Sequence, residues 1–238
     1  MPPIDPYSLK SIPKWHPRRL YHTALARLEE WKARQAFDQY ALPRLVVDTL
    51  PALPDGIVWS DTQVSPEQLR HLLWALQQTE GLGGTVVEIG CWRGVTTAAL
   101  AQHTQRPVVG IDCFIGSANQ VNRDHFVQRL AAYPHASLLE KPSGAAARAW
   151  DRGPISFIFI DADHDYWNVA HDINAWLPHV MPGGMIALHD TDLKVFAGSR
   201  RAVYEVHQQL DLVAHPENLT IFRKPAATAG NPATGQLS

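Results

Sequence analysis

Between Thr85 and Leu188 the chain alternates short apolar runs with stretches of helical spacing. The runs TVVEI, PVVGI, ASLLE, ISFIFI and MIALH are five or six residues long, the usual length of strands. Each precedes a helix-compatible segment. ISFIFI and TVVEI are apolar at both alternating positions, as suits strands covered on two faces. Such interleaving predicts βαβ units and a parallel sheet with helices on both sides. After a helix expected over Arg200–Leu210, LDLVAH and LTIFR flank Pro216-Glu217-Asn218 and predict a closing antiparallel hairpin. The expected fold is therefore α/β: a doubly wound, mostly parallel seven-stranded sheet with an antiparallel C-terminal hairpin and an N-terminal helical extension.

The sheet-forming part is expected over residues 65–224. It opens on Ser65-Pro66-Glu67-Gln68, an N-cap with a first-turn proline, followed by Leu69, Leu72, Leu73 and Leu76 at helical spacing. Residues 1–64 read as an arm and extension. Four prolines before Arg18 predict extended chain, and Leu20, Ala24, Leu28, Trp31 and Phe37 then mark an amphipathic helix to about Tyr40. The stretch LPRLVVDTLPALPDGIVWS is too apolar for a free linker and is expected to wrap over the body. Trp15, Trp31, Trp59 and Tyr40 either line a substrate pocket beneath a lid or simply pack the extension; an aromatic-rich extension also suits a homodimer contact. Residues 225–238 are small and polar, a composition expected to be disordered.

Composition narrows the function classes. Hydrophobic residues make up 45% and charged residues 18% of 238, which excludes wholesale disorder. The net charge of −2, without long charge runs, argues against a nucleic-acid surface. No apolar run is long enough to span a bilayer. Two cysteines, Cys91 and Cys113, make no disulfide framework or metal finger. A cytoplasmic protein without membrane or nucleic-acid partners is expected.

The first strand runs into Glu88-Ile89-Gly90-Cys91-Trp92-Arg93-Gly94-Val95-Thr96-Thr97 and then a helix. A glycine turn between a parallel strand and a helix lets a ligand approach the backbone at the carboxyl edge of the sheet. Gly90 and Gly94 lack the middle glycine of a dinucleotide fingerprint, and Glu88 would repel a pyrophosphate while suiting a cation. The second strand ends at Asp112, placed to accept both hydroxyls of a ribose, with Phe114 available to lie against an adenine.

VVEIGCWRGVTTAALA followed by VVGIDCF resembles the first two motifs of class I S-adenosylmethionine-dependent methyltransferases. The resemblance implies that Gly90 and Gly94 admit the methionine part of the cofactor, with Glu88 near its ammonium and Asp112 on the ribose. Cys91, Trp92, Thr96, Cys113 and Phe114 flank these positions and are carried along as cofactor contacts. Thr96 and Thr97 are equally readable as helix-start caps. In the same relatives a serine at the place of Ser143 touches the adenine amino group; as an alternative, Ser143 caps a helix over Gly144–Trp150.

The fourth run ends in Asp161-Ala162-Asp163-His164-Asp165, and the fifth in His189-Asp190-Thr191-Asp192. Acids and imidazoles crowded at strand ends are costly unless they bind something. The block FIFIDADHDYWNVAHDINAWLPHVMPGGMIALHD resembles methyltransferases of the "methyltransferase domain 24" type and is similar to catechol and caffeoyl-coenzyme A O-methyltransferases. In the metal-dependent relatives, the counterparts of Asp161, His189 and Asp190 bind a divalent cation. Here histidine replaces the acid and aspartate the amide, so Mg²⁺ or a softer divalent ion is a conditional expectation. The relatives' proton-accepting lysine falls on His164, and an imidazole near pH 7 accepts protons readily.

These observations imply methyl transfer from S-adenosylmethionine to a hydroxyl of a small molecule, such as a natural-product sugar or polyketide, with Asp161 and His164 at the acceptor. The alternatives are transfer to a small amine, where His164 would matter less, and a non-catalytic cofactor-binding protein.

Overall fold

The computed structural model describes residues 12–115 and 119–226. The expectations for the first eleven residues of the arm and for the tail from 227 onward lie outside the described residues.

One helix, α1 (Pro17–Gln35), precedes a strap of mostly irregular chain that leads to α2 (Pro66–Gln78). The body then alternates β1 (Thr85–Ile89), α3 (Val95–Gln102), β2 (Val108–Asp112), α4 (Asn119–Leu130), β3 (Ala136–Glu140), α5 (Ser143–Arg148), β4 (Ile155–Ile160), α6 (Tyr166–Trp176) and β5 (Val180–Leu188). It closes with α7 (Ala197–Val206), β6 (Asp211–Ala214) and β7 (Thr220–Arg223). The seven strands form one sheet in the order β3-β2-β1-β4-β5-β7-β6. β1 to β5 run parallel, whereas β7 pairs antiparallel with both β5 and β6.

The alternation of side chains along the strands builds two cores. Val87, Ile89, Ile158 and Ile160 pack with Ile173, Trp176 and Val203 beneath α6 and α7. Val86, Phe157, Phe159 and Ala187 pack with Leu69, Leu72, Leu76 and Leu100 beneath α2 and α3. Burial of each such side chain contributes about 1.5–3 kcal/mol. Strand order reverses between β1 and β4, which makes that junction the switch point where ligands of open α/β sheets bind.

α2 starts as its sequence predicts: Ser65 accepts from the Gln68 N–H and Gln68 Oε1 accepts from the Ser65 N–H, a capping box. α7 begins three residues before the expected Arg200, because Glu30 of α1 accepts from the Gly198 N–H and supplies a cap that the local sequence lacks. The strap lies on the body. Its Leu45 carbonyl accepts from the His215 N–H, Arg70 holds the Leu50 and Pro51 carbonyls, and Val64 is buried.

The orientation of α1 corrects the amphipathic expectation. The helix meets α7 and α6 through its polar side, where Arg201 pairs with Glu29 and the only buried residue is Ala33. Leu20, Leu28 and Trp31 face solvent.

Candidate active site

The carboxyl ends of β1, β4 and β5 converge on a cavity of about 180 Å³. From the β1 turn it is lined by Glu88, Gly90, Cys91, Trp92, Val95 and Thr96, and from the ends of β4 and β5 by Asp161, His164 and Asp190. The strap contributes Asp61, Thr62 and Gln63. Ligand pockets commonly reach about 300 Å³ or more, so this cavity is small for a whole ligand.

Gly90 makes the site sterically possible. It has φ +85°, and a Cβ there would collide with the Asp161 carbonyl and come within 2.7 Å of the Ala162 Cα. The β1 and β4 turns thus touch backbone to backbone, which brings Glu88 and Asp161 into one cavity. Gly94, also left-handed at φ +76°, starts α3 close under Phe126.

Glu88 is 2% exposed, and the Thr97 hydroxyl donates to its Oε2. Burial, with further repulsion from Asp161 and Asp112, overrides that hydrogen bond and pushes its pKa up to about 8. A carboxyl left uncompensated this way is suited to a cationic ligand. Cys91 lies close by, its thiol raised well above the ordinary value by burial and by Glu88.

Asp112 ends β2, two residues beyond Gly110, the β-sheet partner of Glu88. Its Oδ2 accepts from the Trp92 N–H at 3.0 Å and its Oδ1 from the Phe114 N–H at 2.8 Å. The carboxylate thereby ties the β2 end to the glycine turn. It does not line the cavity, and neither do Gly94, Cys113 and Phe114. Phe114 is packed edge-on to Phe126 in a small cluster with Cys91 and Leu130, and Cys113 is half-buried.

Ser143 also lies away from the cavity. Its hydroxyl donates to Asp172 at 2.5 Å and accepts from the Trp176 indole at 2.9 Å, so it stitches α5 to α6. It is the first residue of α5 and makes no cap; Pro142 stands at the cap position.

The acid–imidazole cluster is tighter than its sequence separation suggests. One ligand atom from each of Asp161, His164 and Asp190 lies within 4.8 Å of the others. His164 Nε2 is 3.4 Å from Asp190 Oδ2, and its ring lies 4.6 Å from that of Phe196. Asp165 caps α6, which leaves the His164 ring to the cavity. Asp190 has φ +55°, an uncommon conformation for aspartate, and Asn218 donates to its Oδ1 at 2.8 Å.

His189 sits behind this cluster, 6% exposed. Gln68 Oε1 lies 3.0 Å from its Nε2, and because that oxygen also accepts from the Ser65 N–H, Nε2 must carry the proton. Nδ1 is left buried without a regular hydrogen bond, 3.3 Å from Asp161 Oδ1 and 3.5 Å from Asp190 Oδ2. Burial opposes charging of this imidazole, but the two carboxylates outweigh it and raise its pKa to about 10. Burial likewise opposes ionisation of Asp190, and His189, His164 and Asn218 more than reverse it, holding the carboxyl below its ordinary range.

The comparisons decide the chemistry class. Residues 87–191, which run from the glycine turn to the acid–imidazole cluster, match the family described as "Methyltransferase domain". They form a methyltransferase domain. The match spans just under half of the chain, and the seven-stranded sheet around it has the methyltransferase fold. No curated protein matches the sequence at a significant level. Among solved structures, the O-methyltransferase NovP aligns over 69% of this chain and 82% of its own, at TM-score 0.56 and 15% identity. TomG from Streptomyces achromogenes, an O-methyltransferase of tomaymycin synthesis solved with S-adenosylmethionine, aligns over 93% and 96% at TM-score 0.54 and 16% identity. CalS11, a TDP-rhamnose 3′-O-methyltransferase of calicheamicin biosynthesis, aligns over 90% and 98% at TM-score 0.52 and 14% identity. At these identities the likeness is one of fold.

The sequence alone missed Thr97 as the partner of Glu88, and Gln68 and Asn218 as the residues that orient His189 and Asp190. It also missed the strap residues 61–63. Only Thr97 carried a local signal, its place in the first turn of α3; the others reach the site from remote parts of the chain. None of Trp15, Trp31, Trp59 and Tyr40 lines the cavity. Among the described residues no helix is long and apolar enough to cross a membrane.

Proposed function

We propose that this methyltransferase acts on a hydroxyl of a small molecule, with the cofactor's amino-acid end at Glu88 and Gly90 and the acceptor at Asp161, His164 and Asp190. The observation that carries the reading is that one cavity is lined both by the buried Glu88 carboxyl and by the acid–imidazole cluster. Gly94 and the β2 end (Asp112, Cys113, Phe114) belong to the same cofactor groove beyond Trp92, where Asp112 would exchange its backbone partners for the ribose. When bound, S-adenosylmethionine would supply the methyl group, its bond to sulfur breaking as the bond to the acceptor oxygen forms. The acceptor proton passes to His164 Nε2, and Asp190 beside it stabilises the imidazolium. Two of the similar structures, TomG and CalS11, belong to tomaymycin synthesis and calicheamicin biosynthesis, which supports a natural-product acceptor. A cytosolic setting agrees with two cysteines that are not joined in a disulfide.

A divalent cation fits the residues present. Asp161 and Asp190 offer carboxylate oxygens, and His164 offers a nitrogen within the same cluster. This mixed oxygen–nitrogen set favours Mn²⁺, Fe²⁺ or Zn²⁺ over Mg²⁺. When bound, such an ion would acidify and orient the acceptor hydroxyl. Ligation by His164 would remove it as the base, so its two roles exclude each other.

Calorimetry with S-adenosylmethionine and turnover against matched hydroxyl and amine acceptors test the reading. Saturable binding, methylation of hydroxyls and a loss of about 10²–10⁴-fold in His164→Ala are expected. Amine methylation with a mild His164→Ala effect would replace the hydroxyl reading, and binding without turnover on any acceptor would point to a non-catalytic role. Excess chelator, with metal titration followed by thermal shift, decides the cation: unchanged activity and no shift would remove it.

A further inference from the structure

His164 is carried on the turn between β4 and α6, and the start of α7 is built against that turn. Gly198 packs on it backbone to backbone: a Cβ there would lie 2.5 Å from the Tyr166 N and 3.1 Å from its Cα. Ser199 is fully buried and donates its hydroxyl to the His164 carbonyl at 2.8 Å. One turn along α7, the Arg201 guanidinium lies 4.2 Å from the centre of the Tyr166 ring. Glu30 of α1 takes the Gly198 N–H, which fixes this end of α7 from its far side. The main chain at His164 is thereby held, and Asp165 caps α6 directly after it.

A fixed main chain does not fix the plane of the imidazole. Rotation about the histidine Cβ–Cγ bond is a broad torsion without sharp staggered wells. Asp190 Oδ2 lies 3.4 Å from Nε2, beyond a regular N–H···O bond, so it attracts the ring without setting its tilt. The group that meets the ring is Phe196, with the two centroids 4.6 Å apart and the planes at 46°. Phe196 ends a single 3₁₀ turn, Lys194–Phe196, and leads straight into α7. Its N–H is held by the Leu193 carbonyl at 2.9 Å. The side chain is half-buried and does not line the cavity.

We propose that Phe196 is a positioning residue for methyl transfer, holding the His164 imidazole in the plane that keeps Nε2 at Asp190. The proposal rests on the hydroxyl-acceptor reading and adds to it a residue that acts only through His164. A base free to turn meets the acceptor proton for a fraction of the time, and a misplacement of about 1 Å can cost about 100-fold in rate. Phe196 should therefore govern kcat and leave the binding of S-adenosylmethionine alone.

Steady-state kinetics on the full chain test this. Phe196→Leu keeps apolar bulk and loses the flat face, whereas Phe196→Tyr keeps both. Phe196→Leu should lower kcat by about 10–100-fold, with the S-adenosylmethionine KM within about twofold of wild type. Phe196→Tyr should retain most of the rate. The discriminating measurement is the double variant: in a His164→Ala background, Phe196→Leu should cost nothing further, because the group it positions is gone. A readout independent of turnover is the NMR signal of the His164 ring, identified by its loss in His164→Ala. That signal should move in Phe196→Leu, as the ring current of the neighbour disappears, and stay close to its wild-type position in Phe196→Tyr. An active wild type whose two losses multiply in the double variant, or a His164 signal indifferent to Phe196→Leu, would overturn the proposal alone. A wild type that binds S-adenosylmethionine and methylates no acceptor would overturn the methyl-transfer reading and this proposal with it.

Discussion

Glu88 is held in a state that binding should reverse. Its pKa rises from 4.5 unfolded to about 8 folded, so the folded protein holds this proton more tightly than the unfolded chain. The carboxyl's contribution to stability is therefore present at low pH and declines as pH climbs from about 4.5 through 8. Glu88→Gln keeps an acceptor for Thr97 and cannot ionise. Its melting temperature should match that of the wild type near pH 5 and exceed it increasingly up to pH 8. Cofactor binding should show the opposite trend. A cationic ligand draws Glu88 into its ionised form, so wild-type affinity should strengthen with pH by up to about tenfold per unit below 8. In Glu88→Gln the profile should be flat and the affinity about 10–100-fold weaker, the loss of one charge-assisted hydrogen bond. Calorimetry across pH 6–9 checks both trends, and an unaltered pH slope in the variant would sink the assignment. Gln68 is the other informative residue. Gln68→Leu removes its bonds to Ser65, Asn218 and His189 and should cost about 2–3 kcal/mol in denaturant unfolding.

At the scale of elements, the contact between the β1 and β4 turns is the joint of the site. Gly90→Ala forces a Cβ into the Asp161 carbonyl in a backbone region that disfavours side chains. Cofactor binding should fall below detection in calorimetry, with a melting temperature several degrees lower, whereas Gly153→Ala, strained in φ but with open space around it, should lose stability only. Much of this level was legible in the chain. The runs TVVEI and ISFIFI are β1 and β4 to the residue, because parallel central strands leave a dense apolar signature, and ASLLE matches the part-buried edge strand β3. Asp161 and Asp190 share a cavity because parallel neighbours must end on the same edge. What stayed hidden depends on packing between remote segments. The outward face of α1 follows from Glu29 and Glu30 finding Arg201 and the α7 N-terminus, and no local pattern announces those partners. Ser143 looked like a cap because its neighbours suit one, but Asp172 and Trp176 claimed its hydroxyl. His164 joins the acid cluster, while His189 turns toward Gln68, a choice set by α2 rather than by the strand that carries it.

For the whole molecule, the strap closes one side of the cavity, and Asp61 fastens its cavity end. Asp61 receives a guanidinium bond from Arg93, just past the glycine turn, at 2.7 Å and another from Arg129 at the end of α4. Arg129 also holds the Arg93 carbonyl at 2.6 Å, and Arg93 reaches Asn122 at 3.0 Å. The bonds from Arg129 and Arg93 lower the Asp61 pKa below its usual 3.8. Its contribution is thus in place above pH 4 and is lost as pH falls through the depressed value. The same residue lines the cavity, so fastening the strap and closing the cavity are one event. Asp61→Asn keeps the shape and removes the charge that both arginines share. Chymotrypsin should then cut after Trp59, two residues before Asp61 and 40% exposed, at least several-fold faster, and saturating S-adenosylmethionine should restore only part of the protection. The S-adenosylmethionine KM should rise more than kcat falls, since the substitution leaves the proposed acceptor site at His164 and Asp190 untouched. Raising the salt concentration should move the wild type toward the variant's behaviour, because the clasp is partly exposed and ionic. Equal cleavage rates in the two proteins would mean that the apolar contacts of Val47, Leu53 and Ile57 hold the strap without the clasp.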